Sequence, residues 1–379
     1  MSDCRHCSVL VIGGGTAGAV TAGLLARRGW SVVVVEQSSA TSAGKAGEGL
    51  PPNTRPMLER LGLLAWLEMD RATALPTYGN RAWWGTEQPH EQSFLQSRFG
   101  HGYRLDRSRF DAGLAVWAGQ GGVQWLQEHR VREIRRTRTN WQVITIKTSG
   151  DTNVCQTLEA DFLVDASGRR AWLARRCGAE IRRSAPLVAL CWILNTTDGA
   201  PWDSDSYINV EACEHGWWYA LVLPGGALSL MYFTDPATLP PRRSACRDYW
   251  QAGLAQAPNT AARVVRQQDR LSHWRMQATT AGTAYLERPY GDGWLAVGDA
   301  AQAFDSLASQ GIGNAMSGGY YAAHAIADHL QGRTLALPAY DAVMQQGYAR
   351  YREELPKRYA QCNRWPQAPF WAQRNSASA

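Results

Sequence analysis

Apolar and polar positions along the chain follow three periods, and each predicts a different kind of element. Ser8 to Ile12 and Ser31 to Val35 are short, almost unbroken apolar runs, which predict strands buried on both faces. The segment between them is rich in small residues and predicts a helix, so the opening of the chain reads as strand, glycine turn, helix, strand. Trp294 to Val297 is a third buried-strand run, followed by a helix starting near Gly311. Trp141 to Lys147, Leu187 to Leu194 and Ala227 to Phe233 alternate instead, which predicts strands in sheets with two distinct faces. The spacing of Met57, Leu58, Leu61 and Leu64 after "PPNTRP" predicts a helix, and Pro338 to Tyr359 predicts another. The stretch "NRWPQAPFWAQRNSASA" reads as an aromatic tail ending in disorder.

The turn between the first strand and helix is "GGGTAG", Gly13 to Gly18. Gly13 permits a tight turn, Gly15 lets backbone approach a pyrophosphate, and Gly18 lets the helix lie close on the strand. Thr16 and Ala17 open the helix, whose unpaired N–H groups favour an anion. Glu36 ends the second strand, where its carboxylate accepts from ribose hydroxyls and repels a 2′-phosphate. The expected ligand is therefore FAD or NAD and not NADP.

A second small-residue stretch, "GDAAQAFDSLASQGIGNAMSGG" from Gly298 to Gly319, separates those two ligands. Asp299 at a strand end can hydrogen-bond a sugar-like chain. The helix start at Gly311 and Ile312 offers free N–H groups to the electron-rich end of a flavin ring. NAD has no ribityl chain and needs no such second site, so FAD is the expected cofactor.

Composition narrows the class without naming a substrate. The chain has 379 residues, 45% hydrophobic and 19% charged, as a globular protein does. A formal charge of +6 with scattered basic residues and no recognition motif gives no expectation of nucleic acid. No apolar run reaches the roughly 20 residues of a spanning helix, and the expectation is a cytoplasmic protein without membrane contact. Eight irregularly spaced cysteines form no disulfide framework. Cys4 and Cys7 flank His6 as half of a zinc or redox motif, but no second close pair follows and no metal is expected.

The motifs "GGGTAG" with Glu36, "LDRSRFDAGL" at Leu105 to Leu114, "DFLVDASGR" at Asp161 to Arg169 and "GDAAQAFDSLASQGIG" resemble, in order, those of FAD-dependent monooxygenases of the aromatic-hydroxylase and tryptophan-halogenase superfamily. The resemblance implies an α/β fold: a glutathione-reductase-type Rossmann FAD-binding domain with an inserted mixed β-sheet substrate domain and C-terminal helices. It places the FAD domain at 1–45, 100–178 and 286–335, the substrate domain at 46–99 and 179–285, and a helical region with tail at 336–379. It also implies that Asp299 contacts the ribityl and pyrophosphate region, that Arg107 reaches the phosphates, and that Gly311 lies by the isoalloxazine. The implied chemistry is oxygenation of an electron-rich ring, with electrons from NADH or NADPH directly or through a separate flavin reductase.

Within that superfamily, "AGEGLPPNTRPMLERLGLLAWL" and "HGWWYALVLPGG" are similar to segments of tryptophan halogenases. Those enzymes use a lysine to guide the halogenating species. Here Leu75 stands at the expected place, and the lysines are only Lys45, Lys147 and Lys357. The compact length, "GEGLPP" and "FDSLASQGI" most resemble the flavoproteins that mature tryptophylquinone enzymes, in which a tryptophan of a partner protein is hydroxylated. A free small aromatic or indole remains the alternative, followed by halogenation or a non-catalytic assembly role. Around the chemistry, Glu48, His273 and Asp305 are candidate catalytic residues. Glu48 could equally cap the following helix, and Asp305 reads more as a backbone cap. Trp83, Trp217 and Trp218 are candidate substrate walls, with at most one of the adjacent pair Trp217 and Trp218 facing the pocket.

Overall fold

The unbroken apolar runs form the centre of a parallel sheet. In the computed structural model, which describes residues 5–39, 47–149, 155–197, 199–240, 246–265 and 271–376, with the side chains of 246, 247, 271–275 and 376 left aside, strand Arg5–Ile12 pairs in parallel with Val32–Glu36 and with Cys155–Asp165. Trp294–Ala296 and Gln124–Gln127 extend the parallel order on either side. Antiparallel strands His129–Arg136, Trp141–Lys147 and Tyr290–Gly291 bring this sheet to eight. Val9, Leu10, Val11 and Val34 have no exposed surface because helices or other strands cover both faces, which is why these strands do not alternate.

Helices Thr16–Arg27 and Gly311–Leu330 lie against one another on this sheet, both contributing to one apolar cluster. Their small residues allow the approach: a Cβ on Gly319 would stand 2.8 Å from the Ala17 carbonyl oxygen. The two glycine-rich stretches, nearly three hundred residues apart, are thereby brought side by side.

A second sheet of seven strands runs in the order Leu271–Thr280, Val188–Thr196, Leu228–Thr234, Gly216–Val222, Ile208–Cys213, Gly79–Trp83, His90–Ser93. It is mixed, because Ile208–Cys213 pairs in parallel with Gly79–Trp83 while its other neighbours are antiparallel. Alternation divides its residues by face. Leu190, Trp192, Trp218, Leu230 and Tyr232 pack under helices Cys246–Ala255 and Pro258–Val265. Ala189, Cys191, Trp217, Met231 and Phe233 face the other way, toward Tyr359, Phe370 and Trp371 of the C-terminal helices. A small antiparallel sheet, Glu48–Leu50 with Gly102–Leu105 and Ala74–Thr77, lies beside it.

The α/β class follows the expectation, and two local expectations are corrected. The helix after "PPNTRP" is two helices, Arg55–Arg60 and Leu64–Met69, because Gly62 takes φ +70° and ends the first turn pattern in a left-handed cap. The aromatic tail carries a helix, Pro369–Ser376, fastened by burial of Phe370 and Trp371. Arg374 in that helix is 5% exposed and donates to the Pro186 carbonyl at 2.9 Å and to Asp235 at 2.7 Å. Among the described residues no helix is long and apolar enough to cross a membrane, and no acidic, histidine or cysteine cluster could hold a metal.

Candidate cofactor and substrate site

Between the helix starts and the seven-stranded sheet lies a cleft of about 630 Å³. Its floor begins at the glycine turn, whose three motif glycines differ physically. Gly13 has φ +107° and a Cβ there would stand 2.3 Å from the Ala166 carbonyl oxygen. A Cβ on Gly18 would stand 2.0 Å from the Gly13 oxygen, whereas one on Gly15 meets nothing within 4 Å and points into open space. Gly13 and Gly18 are therefore glycine because protein backbone touches them, and Gly15 keeps a place clear.

Gly15, Thr16 and Ala17 line this cleft together with Gly311 and Ile312. The helices beginning at Thr16 and Gly311 have no acidic residue in the first turn and no side-chain cap. Two positive helix ends thus meet one cavity. A Cβ at Gly311, like one at Gly15, would enter open space. Glu36 accepts from the Gly14 N–H at 2.6 Å and the Ser38 N–H at 2.8 Å, which fixes the carboxylate and leaves it further lone pairs for hydroxyl donors.

Charged groups are arranged around this floor in two linked clusters. Arg107, at the start of helix Arg107–Gln120, pairs with Glu48 and lies 3.4 Å from Asp111; Asp111 in turn accepts from the Thr16 hydroxyl at 3.0 Å. Burial works against the Arg107 charge, but Asp111, Glu48 and Asp299 outweigh it and hold the guanidinium protonated beyond its ordinary range. Its Nε is buried without a hydrogen-bond partner, a donor left over for an anion. In the second cluster Asp299 lies 3.3 Å from Arg169. Arg169 also donates to the carbonyls of Gly282 and Phe304, the latter at 2.8 Å, so the guanidinium fixes Asp299 against the substrate-side loops. Burial raises the Asp299 carboxyl above its ordinary range, and Arg169 and Arg107 pull it back in part.

This donor set fits the expected FAD. The helix end at Thr16 and an arginine with a spare donor suit the pyrophosphate, the helix end at Gly311 suits the electron-rich end of a flavin ring, two carboxylates suit sugar hydroxyls, and the open space at Gly15 and Gly311 is the kind that a ligand occupies.

Large side chains form the roof. Trp217 lines the cleft and stacks on Phe233 at 3.8 Å between centroids. Cys191 lies on the same face, its thiol pushed up to about 12 by burial and by the charge of Glu48, which keeps it protonated and unreactive. Two expected walls are corrected. Trp218 is on the opposite face of the sheet, stacked on Tyr232 at 4.6 Å, because neighbouring residues of a strand point to opposite sides. Trp83 does not line the cleft; the next residue, Trp84, turns inward and meets Trp217 edge-on at 6.2 Å and Trp371 at 5.3 Å.

The catalytic candidates separate. Glu48 faces the cleft from strand Glu48–Leu50, paired with Arg107 and capping no helix. Asp305 accepts from the Leu307 N–H at 2.8 Å and the Tyr359 hydroxyl at 3.0 Å, which makes it a cap that ties the turn to the C-terminal helix. His273 lies in strand Leu271–Thr280, its side chain outside the described residues. Lys45 also lies outside them. No lysine lines the cleft among the described residues, and Leu75 stands in strand Ala74–Thr77 away from the lining. Sequence reasoning missed Arg169, although it ends the motif "DASGR", and the inward turn of Trp84, which shows only in its ring contacts with Trp217 and Trp371.

The chain matches the FAD-binding domain family over residues 6–343. It is 29% identical to the protein named FAD-dependent oxidoreductase LodB of Marinomonas mediterranea, covering 98% of this chain and 97% of that one. Identity to the flavin-dependent halogenase armH4 of Armillaria mellea is 25%, over 91% of this chain and 70% of the other. Among solved structures, the peptidyl tryptophan dihydroxylase QhpG, essential for tryptophylquinone cofactor biogenesis, has a TM-score of 0.78 at 28% identity, covering 98% of this chain and 79% of QhpG. The flavin-dependent halogenase CmlS has a TM-score of 0.83 at 22% identity, over 98% and 68%, a likeness of fold.

Proposed function

Because the chain belongs to the FAD-binding domain family and is a flavin-dependent oxidoreductase, we propose that it hydroxylates a tryptophan side chain of a partner protein during tryptophylquinone cofactor biogenesis. When bound, FAD supplies the redox chemistry that activates dioxygen. Each turnover takes two electrons from NADH or NADPH, directly or through a separate flavin reductase, places one oxygen atom in a ring C–H bond and releases the other as water.

In this reading Gly13, Gly15, Thr16, Ala17 and Gly18 seat the pyrophosphate, with Arg107 beside it. Glu36 accepts from the adenosine ribose, Asp299 from the ribityl chain, and Gly311 with Ile312 borders the isoalloxazine. Trp217, backed by Phe233, walls the ring that reacts, and Glu48 offers a carboxylate oxygen to that ring or to the cofactor. Residues 1–45, 100–178 and 286–335 are the cofactor unit, 46–99 and 179–285 the substrate unit, and 336–379 a C-terminal helical region and tail.

The observation that carries the reading is an aromatic-walled cleft, reaching from the glycine turn to Trp217, with no lysine among its described lining residues. The names of LodB and QhpG supply the chemistry. Identity to armH4 favours halogenation as the second reading, and a free indole or other small aromatic is the third.

One experiment separates them. The protein is incubated with FAD, NADH, a flavin reductase, oxygen and either a co-expressed partner protein or free aromatics, in chloride and in bromide buffer. Addition of one or two oxygens to a partner tryptophan is the expected result. A halogenated product would refute it, and hydroxylation of free aromatics alone would move the assignment to a small substrate.

A further inference from the structure

We propose that Tyr219 is a partition between the cofactor cleft and a second cavity, and that it sets which rings pass between the two. The proposal rests on the reading above only for the chemistry of the ring.

The second cavity, about 740 Å³, lies between the outer strands of the seven-stranded sheet and helix Ala336–Ala360. It shares Gly49, Tyr219 and Ser309 with the cofactor cleft. Register makes the relation between the cavities definite. Gln277, Cys191, Met231 and Tyr219 are successive cross-strand partners, and the same row continues through Val210, Ala82 and His90. Directly opposed residues share a face, so one line of side chains crosses the sheet. Its inner members line the cofactor cleft. Its outer members line the second cavity. Tyr219 is the one member of the row common to both.

The far side of the doorway is fixed as firmly. Tyr219 accepts a hydrogen bond from the Gly49 N–H at 2.9 Å, so its ring spans from the sheet to strand Glu48–Leu50. Gly49 has no room for a side chain: a Cβ would stand 2.2 Å from Ile208 Cδ1 and 2.8 Å from the Tyr219 hydroxyl oxygen. Within strand Gly216–Val222 every other residue is buried and Tyr219 alone keeps partial exposure. Burial raises its phenol above the ordinary range, so the hydroxyl stays neutral. Its oxygen is engaged by Gly49, while its proton remains available to an acceptor in either cavity. A flat aromatic group moving inward from the second cavity must pass this ring.

The test compares Tyr219→Ala, Tyr219→Leu and Tyr219→Phe in the FAD-loaded protein. Acrylamide quenching of bound-flavin fluorescence is measured without substrate, alongside FAD affinity and melting temperature. Tyr219→Ala leaves a void that joins the two cavities, and the quenching constant should rise at least about threefold with FAD affinity unchanged. Tyr219→Phe keeps the ring and should stay within about twofold of the parent protein. Tyr219→Leu, shorter than the ring but apolar and folded more readily, should fall between them. Peroxide released per oxygen consumed should rise in the same order. Unchanged quenching in both Tyr219→Leu and Tyr219→Ala would overturn the partition. Raised quenching in a protein that never hydroxylates tryptophan would leave the partition standing and remove the substrate assignment.

Discussion

The floor and the roof of the cleft are built from opposite materials. On the floor, main-chain groups at the two helix starts are left uncovered, and the residues there are as small as possible: Gly15 and Gly311 have open space where a Cβ would go. On the roof the side chains are the surface, and Trp217 and Phe233 stack 3.8 Å apart. A main-chain site demands particular residues at particular spacings, whereas a side-chain wall demands only bulk on the correct face. That contrast determines what substitutions do and what could be foreseen.

The largest effects should come from the glycine turn and should differ in kind. Gly15→Val is expected to yield folded protein with no flavin absorbance, because its side chain fills only the space kept clear. Gly18→Val should leave no folded protein to purify, since a side chain there would overlap the Gly13 carbonyl and backbone cannot retreat. Circular dichroism and flavin absorbance of the two variants check this. Retained FAD in Gly15→Val would break the account of the floor.

Next come the two tryptophans. Trp217→Ala and Trp218→Ala should each cost about 3–5 kcal/mol of stability in urea unfolding, as large buried rings do. Only Trp217→Ala should also alter the visible spectrum of bound FAD, because Trp218 faces the helices on the other side. Equal spectral changes in both would erase the distinction between the faces.

Asp299→Ala removes a charged acceptor from the floor. Flavin affinity, measured by fluorescence titration, should weaken by about 1.5–3 kcal/mol.

The smallest effect distinguishes floor from periphery by pH. Burial raises the carboxyls of Asp165, Asp299 and Asp305. Each binds its proton more tightly folded than unfolded, so its contribution to stability is full at acid pH and is lost as pH rises through the folded value. Glu68 behaves oppositely: the hydrogen bond from Arg55 lowers it, and its contribution, present above the unfolded value, is lost as pH falls through the folded one. In the cofactor-free protein, Asp299→Asn should therefore raise the melting temperature more at neutral than at acid pH. Glu68→Gln should lower it, again more at neutral pH. Parallel shifts would show that the two carboxyls share one environment.

The same contrast explains what was legible in the sequence. The floor was readable because "GGGTAG" and Gly311 are requirements of backbone geometry, and the buried strands leading to them and to Asp299 show as apolar runs. The roof was readable only as alternation. Alternation separates Trp217 from Trp218 but does not say which turns inward, since that is set by the pairing of Trp217 with Phe233 across the sheet. At Trp83 and Trp84 alternation holds, with Asn80, Ala82 and Trp84 on one face, but it does not say which of the two tryptophans turns inward. The Arg169 clamp was invisible for another reason: its acceptors include the main-chain carbonyls of Gly282 and Phe304, which carry no residue signature. The helix at Pro369–Ser376 was missed because its short pattern is decided by docking of Trp371 and Arg374 rather than by local preference.

That docked helix has a consequence for how the protein is made. Trp217 and Phe233 leave the ribosome well before Phe370, Trp371 and Arg374, the residues that cover their end of the sheet. At the usual pace of translation the interval is on the order of ten seconds. Throughout it the nascent chain presents an uncovered aromatic surface to chaperones and to neighbouring chains. A premature stop upstream of Phe370 would make that exposure permanent, and its product should be recovered from inclusion bodies rather than as a weakened enzyme.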